Sequence, residues 1–160
     1  MATNVIDESY ASPLPLAGMW RSLRALLEDW GFSLVLLWMR LWIAKVFFMS
    51  GLTKIRDWEN TMMLFQYEYA VPVLPVGTAA LLATVFELVM PVLLVIGLFT
   101  RFAALPLLAM ALVIQFVLGA ANPAYNNTEH YYWMMLLLTL ICAGAGRISL
   151  DWYLRQKFLP

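Results

Sequence analysis

The sequence predicts an all-α fold: an integral membrane four-helix bundle with an N-terminal amphipathic interfacial helix and a short amphipathic helix in the first outer loop. Three observations predict it. The 160-residue chain is 63% hydrophobic and 12% charged, whereas a soluble domain is about 25% charged and needs that polar surface to face water. Four apolar runs each approach the ~20 residues that carry a helix across ~30 Å of hydrocarbon. Lys and Arg gather on one side of those runs, as the positive-inside rule requires of a spanning bundle.

The elements follow in chain order. Asp7, Glu8, Pro13 and Pro15 stand where a cleavable signal peptide would carry basic and then apolar residues, so the spans are expected to direct insertion themselves. Residues 1–32 form a tail and an amphipathic segment. In it Leu16, Met19, Trp20, Leu23, Leu27 and Trp30 recur at helical spacing, with Arg21, Arg24 and Glu28 elsewhere on the circumference. Such a helix lies on the cytoplasmic membrane surface. Residues 33–152 form one four-span membrane domain, with spans at 33–52, 78–99, 102–121 and 131–145. Between the first two, Trp58, Met62, Phe65 and Tyr69 mark one face of a short helix that Asp57 can cap and Pro72 and Pro75 end. Residues 153–160 are a cytoplasmic tail.

Four spans put both termini on one side. That side holds Arg21, Arg24, Arg101, Arg147, Arg155 and Lys157, against Lys54 and Arg56 opposite. Both termini are therefore expected in the cytoplasm, with the chain in a bacterial-type inner membrane. Trp58, Tyr67, Tyr69, Tyr125, Tyr131 and Tyr132 sit at the outer interface, and Trp20, Trp30, Trp152 and Tyr153 at the inner one, as aromatic anchors do.

The charges inside the spans are the chemistry to explain. A central Arg or Lys costs about +2.5 to +3.5 kcal/mol on insertion scales, against about −0.3 to −0.6 for a large apolar residue. Arg40 and Lys45 in the first span therefore need an acid, and Glu87 is the one acid within any span. A Glu87–Arg40 pair is expected, with Lys45 as the alternative counterion. Two roles stay open for it: a latch between helices, or a proton-handling or ligand site. Lys54, Glu87, Gln115 and His130 share the outer half and form a candidate cleft open to the outside. Pro91 and Pro106 remove backbone donors and are candidate kinks.

Other motifs read as ordinary. His130 beside Glu129 fits an interfacial histidine better than a metal ligand. Met62–Met63 and Met134–Met135 are adjacent, so each pair faces two sides of a helix and packs rather than binding copper. Asn126–Asn127–Thr128 matches a glycosylation sequon. A single Cys, Cys142, excludes an intrachain disulfide, a dithiol and a cysteine metal cluster, and a single His excludes bis-His haem ligation. Zero net charge without a basic block argues against nucleic acid as a partner. No metal site is expected.

Three blocks resemble the DoxX family: "RLWIAKVFFMSGLTKIRDW", "ATVFELVMPVLLVIGLFTR" and "CAGAGRISLDW". The resemblance runs from Arg40 to Trp152 and maps onto Arg40, Gly51, Lys54, Glu87, Gly97, Thr100, Arg101, Gly144, Gly146, Arg147, Ser149 and Asp151. It implies a four-helix membrane bundle. Members are linked to quinone-dependent oxidation of sulfur compounds, to oxidative-stress complexes or to peptide-maturation clusters. The family assigns no universal catalytic residue, so none is carried over. Met90–Pro91 departs from the glycines common after the family's Glu. Gly51 is expected to allow close helix approach. Thr100 and Arg101 are expected to form the tight inner turn, and Gly146 to cap the fourth span.

The leading expectation is a non-catalytic membrane subunit, a platform for a redox or maturation partner. It would contact quinone at a Glu87–Arg40–Lys54 face and have no activity alone. A small-molecule or metal transporter using the outer cleft, and an assembly or trafficking factor, are the alternatives. The bilayer and a protein partner are the expected associations, with a homo-oligomer also open.

Overall fold

The computed structural model describes residues 15–69 and 74–158. The tail before Pro15, Pro72 and the last two residues fall outside them. The described residues are helical, with no strand among them. Helix α1 (Pro15–Leu26) runs through a π-helical turn at Leu27–Gly31 into α2 (Phe32–Arg56); α3 is Trp58–Tyr67 and α4 is Val76–Ile96. Helix α5 (Thr100–Leu112) continues through a π-helical turn, Val113–Leu118, into α6 (Gly119–Ala121). A 3-10 turn, Pro123–Tyr125, leads to α7 (Thr128–Ala143), and α8 is Leu150–Phe158.

Three of these are long and apolar enough to cross a membrane: Phe32–Arg56, Val76–Ile96 and Thr100–Ala121. The fourth expected span, α7, has 16 residues, which rise only ~24 Å at ~1.5 Å each. Pro91 and Pro106 both lie inside their helices without ending them.

The N-terminal segment differs from its expected form. It runs into α2 without a break, because Leu26, Gly31 and Phe32 are all right-handed helical. No Pro interrupts the junction, and Gly31 accepts helical angles as readily as a break. Met19, Trp20, Leu23, Leu27 and Trp30 are all exposed along this extension.

Helix α2 packs on α4, α4 on α5, α5 on α7, and α7 back on α2. The shared core holds Leu36, Ile43, Phe47, Leu94, Leu107, Met134, Leu137 and Leu140, with Ala103, Ala104 and Ala111 letting α5 approach closely. Asp57 accepts from the Asn60 N–H at 3.0 Å and starts α3, whose Phe65 packs with Ala79 and Ala80 of α4. The exterior is apolar instead: Trp38, Trp42, Val85, Val92, Phe102, Phe116, Val117 and Leu138 are exposed. Arg40, Glu87, Gln115 and His130 are buried. Polar groups inside and an apolar shell outside suit lipid as the surrounding solvent.

Candidate functional site

Two glycines set the register of the antiparallel α2–α4 pair. A Cβ added to Gly51 would stand 2.9 Å from Leu88 Cδ2 and 3.1 Å from Glu87 Cβ. Gly97 ends α4 at φ +72, and a Cβ there would overlap Arg40 Nη1 and sit 2.6 Å from Ser149 Cβ. Gly51 thus lies level with Glu87, and Arg40 level with Gly97. Arg40 and Glu87 are some ten residues apart along the helices, or ~15 Å.

The expected Glu87–Arg40 pair therefore does not form. Glu87 Oε2 accepts from Lys54 Nζ at 2.6 Å, with side-chain exposures of 4% and 16%. Lys54 also donates to Ser50 Oγ at 3.0 Å. The alternative counterion, Lys45, is exposed on α2 beside a groove of about 280 Å³ lined by Leu41, Phe48, Pro91 and Val95. The helices are staggered: the middle of α4 meets the C-terminal part of α2.

Arg40 takes backbone partners instead. Its guanidinium donates to Leu94 O at 3.3 Å and Ile148 O at 2.5 Å. Leu94 is in the last turn of α4, whose carbonyls form the negative end of the helix dipole and attract a cation. Ile148 belongs to the segment after α7. Arg40 thus ties α2 to the end of α4 and to the C-terminal segment, and its side chain is fully buried.

That segment closes over the α4–α5 turn. Asp151 N–H donates to Gly97 O at 2.8 Å. The Asp151 carboxylate accepts from the N–H groups of Phe99 at 2.8 Å and Thr100 at 3.0 Å. It therefore caps α5 from some fifty residues away in sequence, an ordinary N-cap interaction supplied by a distant residue. Phe99 is held at φ 48, a left-handed conformation unusual for a residue with a Cβ. Arg101 donates to Cys142 O at 3.2 Å and so joins α5 to the end of α7.

The cap of α7 is Gly144 (φ 82, ψ −160), not Gly146 as expected. Gly146, at φ +76, lies against Leu36 and Ser33. Arg147 N–H donates to Ser33 Oγ at 3.1 Å, and Ser149 Oγ donates to Gly146 O at 2.6 Å. Two successive turns, rather than one cap, fold this segment back onto the start of α2.

The candidate outer cleft resolves into two separate pairs. Lys54 and Glu87 form one. His130 Nδ1 lies 2.8 Å from Gln115 Oε1 in the other, where Gln115 Nε2 also donates to Asn126 Oδ1. Gln115 stands in the π-helical turn, a local widening frequent at functional sites. The His130 ring packs on Trp133, with centroids 4.8 Å apart. Tyr69 and Tyr125 cover this end, centroids 6.0 Å apart, and Tyr125 donates to Glu68. Burial raises the pKa of the Tyr69 hydroxyl, and the charges of Glu68 and Glu87 push it the same way. The sequon residue Asn126 is tied to Gln115, and Asn127 caps α7 through the Glu129 N–H. Met134 is buried and Met135 exposed, as two adjacent packing residues should be.

Sequence reasoning missed one feature. A cavity of about 750 Å³ opens at the Gly97 end, lined among others by Ser33, Thr100, Arg101, Arg147, Asp151 and Arg155. The signal was present as the Arg, Thr and Asp positions of the two matched motifs, which the fold brings together.

A family model for DoxX matches residues 35–120, from the first turns of α2 into α6. The chain belongs to the DoxX family. An uncharacterized protein of Haemophilus influenzae is 32% identical to this DoxX chain over 135 residues, covering 80% of it and 88% of the relative. Among solved structures, none matches. The DoxX match and the three apolar helices make the chain a multi-pass membrane protein. Arg40, Gly51, Lys54, Glu87, Gly97, Thr100 and Arg101 lie within the matched DoxX residues; Asp151 and the C-terminal turn lie beyond them.

Proposed function

We propose that this DoxX chain is a non-catalytic membrane subunit: a four-span bundle, termini in the cytoplasm of a bacterial-type inner membrane, supporting a redox or maturation partner. The observation that carries this reading is how its buried polar groups are used. Arg40 holds two carbonyls, Glu87 holds Lys54, and Gln115 holds His130 and Asn126. Each joins one helix to another or to a loop. With one Cys and one His in the chain, electrons bound for a membrane quinone would come from the partner. The Lys54–Glu87 pair is the polar face such a quinone would meet; Arg40 is not part of it.

Helix α7 completes the membrane domain as the fourth span, its shortness offset by Tyr131 and Tyr132 at one interface and Arg147 at the other. A transporter gains less support, because its four cleft residues fall into two pairs. The test is purification from native membranes in mild detergent, with identification of copurifying protein and extraction of bound quinone. A stoichiometric redox or maturation partner is expected, with quinone reduced in Glu87→Gln while the complex persists. A chain isolated alone that drives liposome flux, lost in Glu87→Gln, would contradict the proposal. So would a Glu87→Gln chain that loses stability alone and alters no reduced or transported species; that result fits an assembly factor.

A further inference from the structure

The cavity at the Gly97 end has no part in the function proposed above. Its charges are unequal. Arg101, Arg147 and Arg155 line it against Glu28 and Asp151. Both acids are already engaged, Asp151 by the N–H groups of Phe99 and Thr100 and Glu28 by Arg24 at 2.7 Å. Three guanidinium groups against two carboxylates leave the lining with one positive charge in excess.

A second observation is independent of that charge. Thr100 lines the cavity and is fully buried, yet its Oγ1 has no hydrogen-bond partner. Buried hydroxyls are nearly always partnered. Helical threonines elsewhere in the chain bond back one turn, Thr84 to Ala80 O and Thr139 to Met135 O, both at 2.8 Å. At the start of α5 the preceding turn is the bent Gly97–Phe99 link, and Thr100 lacks that acceptor. A hydroxyl donor beside guanidinium groups suits an oxyanion. Phe32 and Phe102, which also line the cavity, are exposed on the apolar exterior, so an acyl chain could lie against them.

We propose that this cavity binds a phosphate group, with Arg101 and Arg155 supplying charge and Thr100 Oγ1 a hydrogen bond. The source is an anionic phospholipid headgroup or a soluble phosphate ester. The lipid source rests on the membrane placement proposed above, while phosphate binding itself does not.

The test uses the purified full chain in detergent with three probes: dioctanoyl phosphatidylglycerol, dioctanoyl phosphatidylcholine and inorganic phosphate. Binding is read by native mass spectrometry and by thermal shift. Phosphatidylglycerol is expected to bind about tenfold tighter than phosphatidylcholine, and about tenfold weaker in Arg155→Gln and in Thr100→Val, as loss of a charge-assisted or buried hydrogen bond implies. Inorganic phosphate binding as tightly as phosphatidylglycerol would support the soluble source, provided it weakens in the same variants. Arg155 is exposed on α8, so its variant retains the fold even where Arg101→Gln does not. If no probe binds wild type more tightly than Arg155→Gln and Thr100→Val, the proposal is overturned, whatever becomes of the quinone and partner experiment.

Discussion

Gly97→Ala tests the packing around Arg40 from the opposite side. At φ +72 the position favours glycine, and an L-residue in the left-handed region costs about 1–2 kcal/mol. The new methyl would also overlap Arg40 Nη1 and press on Ser149. The guanidinium cannot retreat without leaving Leu94 O or Ile148 O, and a hydrogen bond from a charged group is worth about 1.5–3 kcal/mol. Together these predict a loss of about 3–5 kcal/mol, a large share of the ~5–15 kcal/mol that ordinarily separates folded from unfolded. Equilibrium unfolding in mixed detergent–SDS micelles measures it, with Gly18→Ala as the control because nothing lies within 4 Å of that position. Gly18→Ala should be neutral or slightly stabilising. In an Arg40→Ala background the Gly97→Ala cost should shrink toward the backbone and Ser149 parts. A Gly97→Ala loss below about 1 kcal/mol, or an equal loss in both backgrounds, would refute the reasoning.

Other expectations follow from the same contacts. Asp151→Asn keeps one acceptor for the Phe99 and Thr100 N–H groups and turns the other into a donor, so it should cost about 1–2 kcal/mol in the same assay. Gly51→Ala should cost about 1–3 kcal/mol by overpacking, and Leu88→Ala should relieve part of it, since the added Cβ meets Leu88 first. Tyr69 has a hydroxyl pKa above the usual value of about 10, because burial and nearby acids favour its protonated form. Its contribution to stability is therefore complete below that usual value and is lost as pH rises through the higher folded value. In an ultraviolet titration one tyrosine should ionise late, and Tyr69→Phe should remove that component.

The helices were legible because their signals are local. Apolar run length marked α2, α4 and α5, and Asp57 marked the start of α3. The register between α2 and α4 was not, because it depends on which small residue meets which neighbour across the interface. Charge counting alone says nothing about stagger, so it cannot tell Lys54 from Arg40 as the partner of Glu87. Arg40 was harder still. Its partners are the carbonyls of Leu94 and Ile148, groups that every residue carries and no letter in the sequence advertises. Asp151 caps a helix that begins 51 residues earlier, a relation that only the tertiary fold creates. Gln115 and His130 were both singled out and do meet, yet shared depth alone could not show that they pair apart from Lys54 and Glu87. The continuity of α1 with α2 escaped because amphipathicity reports a face and not a bend.

The central claim is that Glu87 belongs to Lys54 while Arg40 serves the C-terminal segment. Double-mutant cycles in detergent test it directly, using Lys54→Met with Glu87→Gln, and Arg40→Met with Glu87→Gln. Sites far apart add within about 0.3–0.5 kcal/mol, whereas contacting residues couple by about 0.5–3 kcal/mol. Coupling above about 1 kcal/mol for Lys54–Glu87 and additivity for Arg40–Glu87 are the predicted results. Strong coupling between Arg40 and Glu87, with Lys54 additive, would contradict the account.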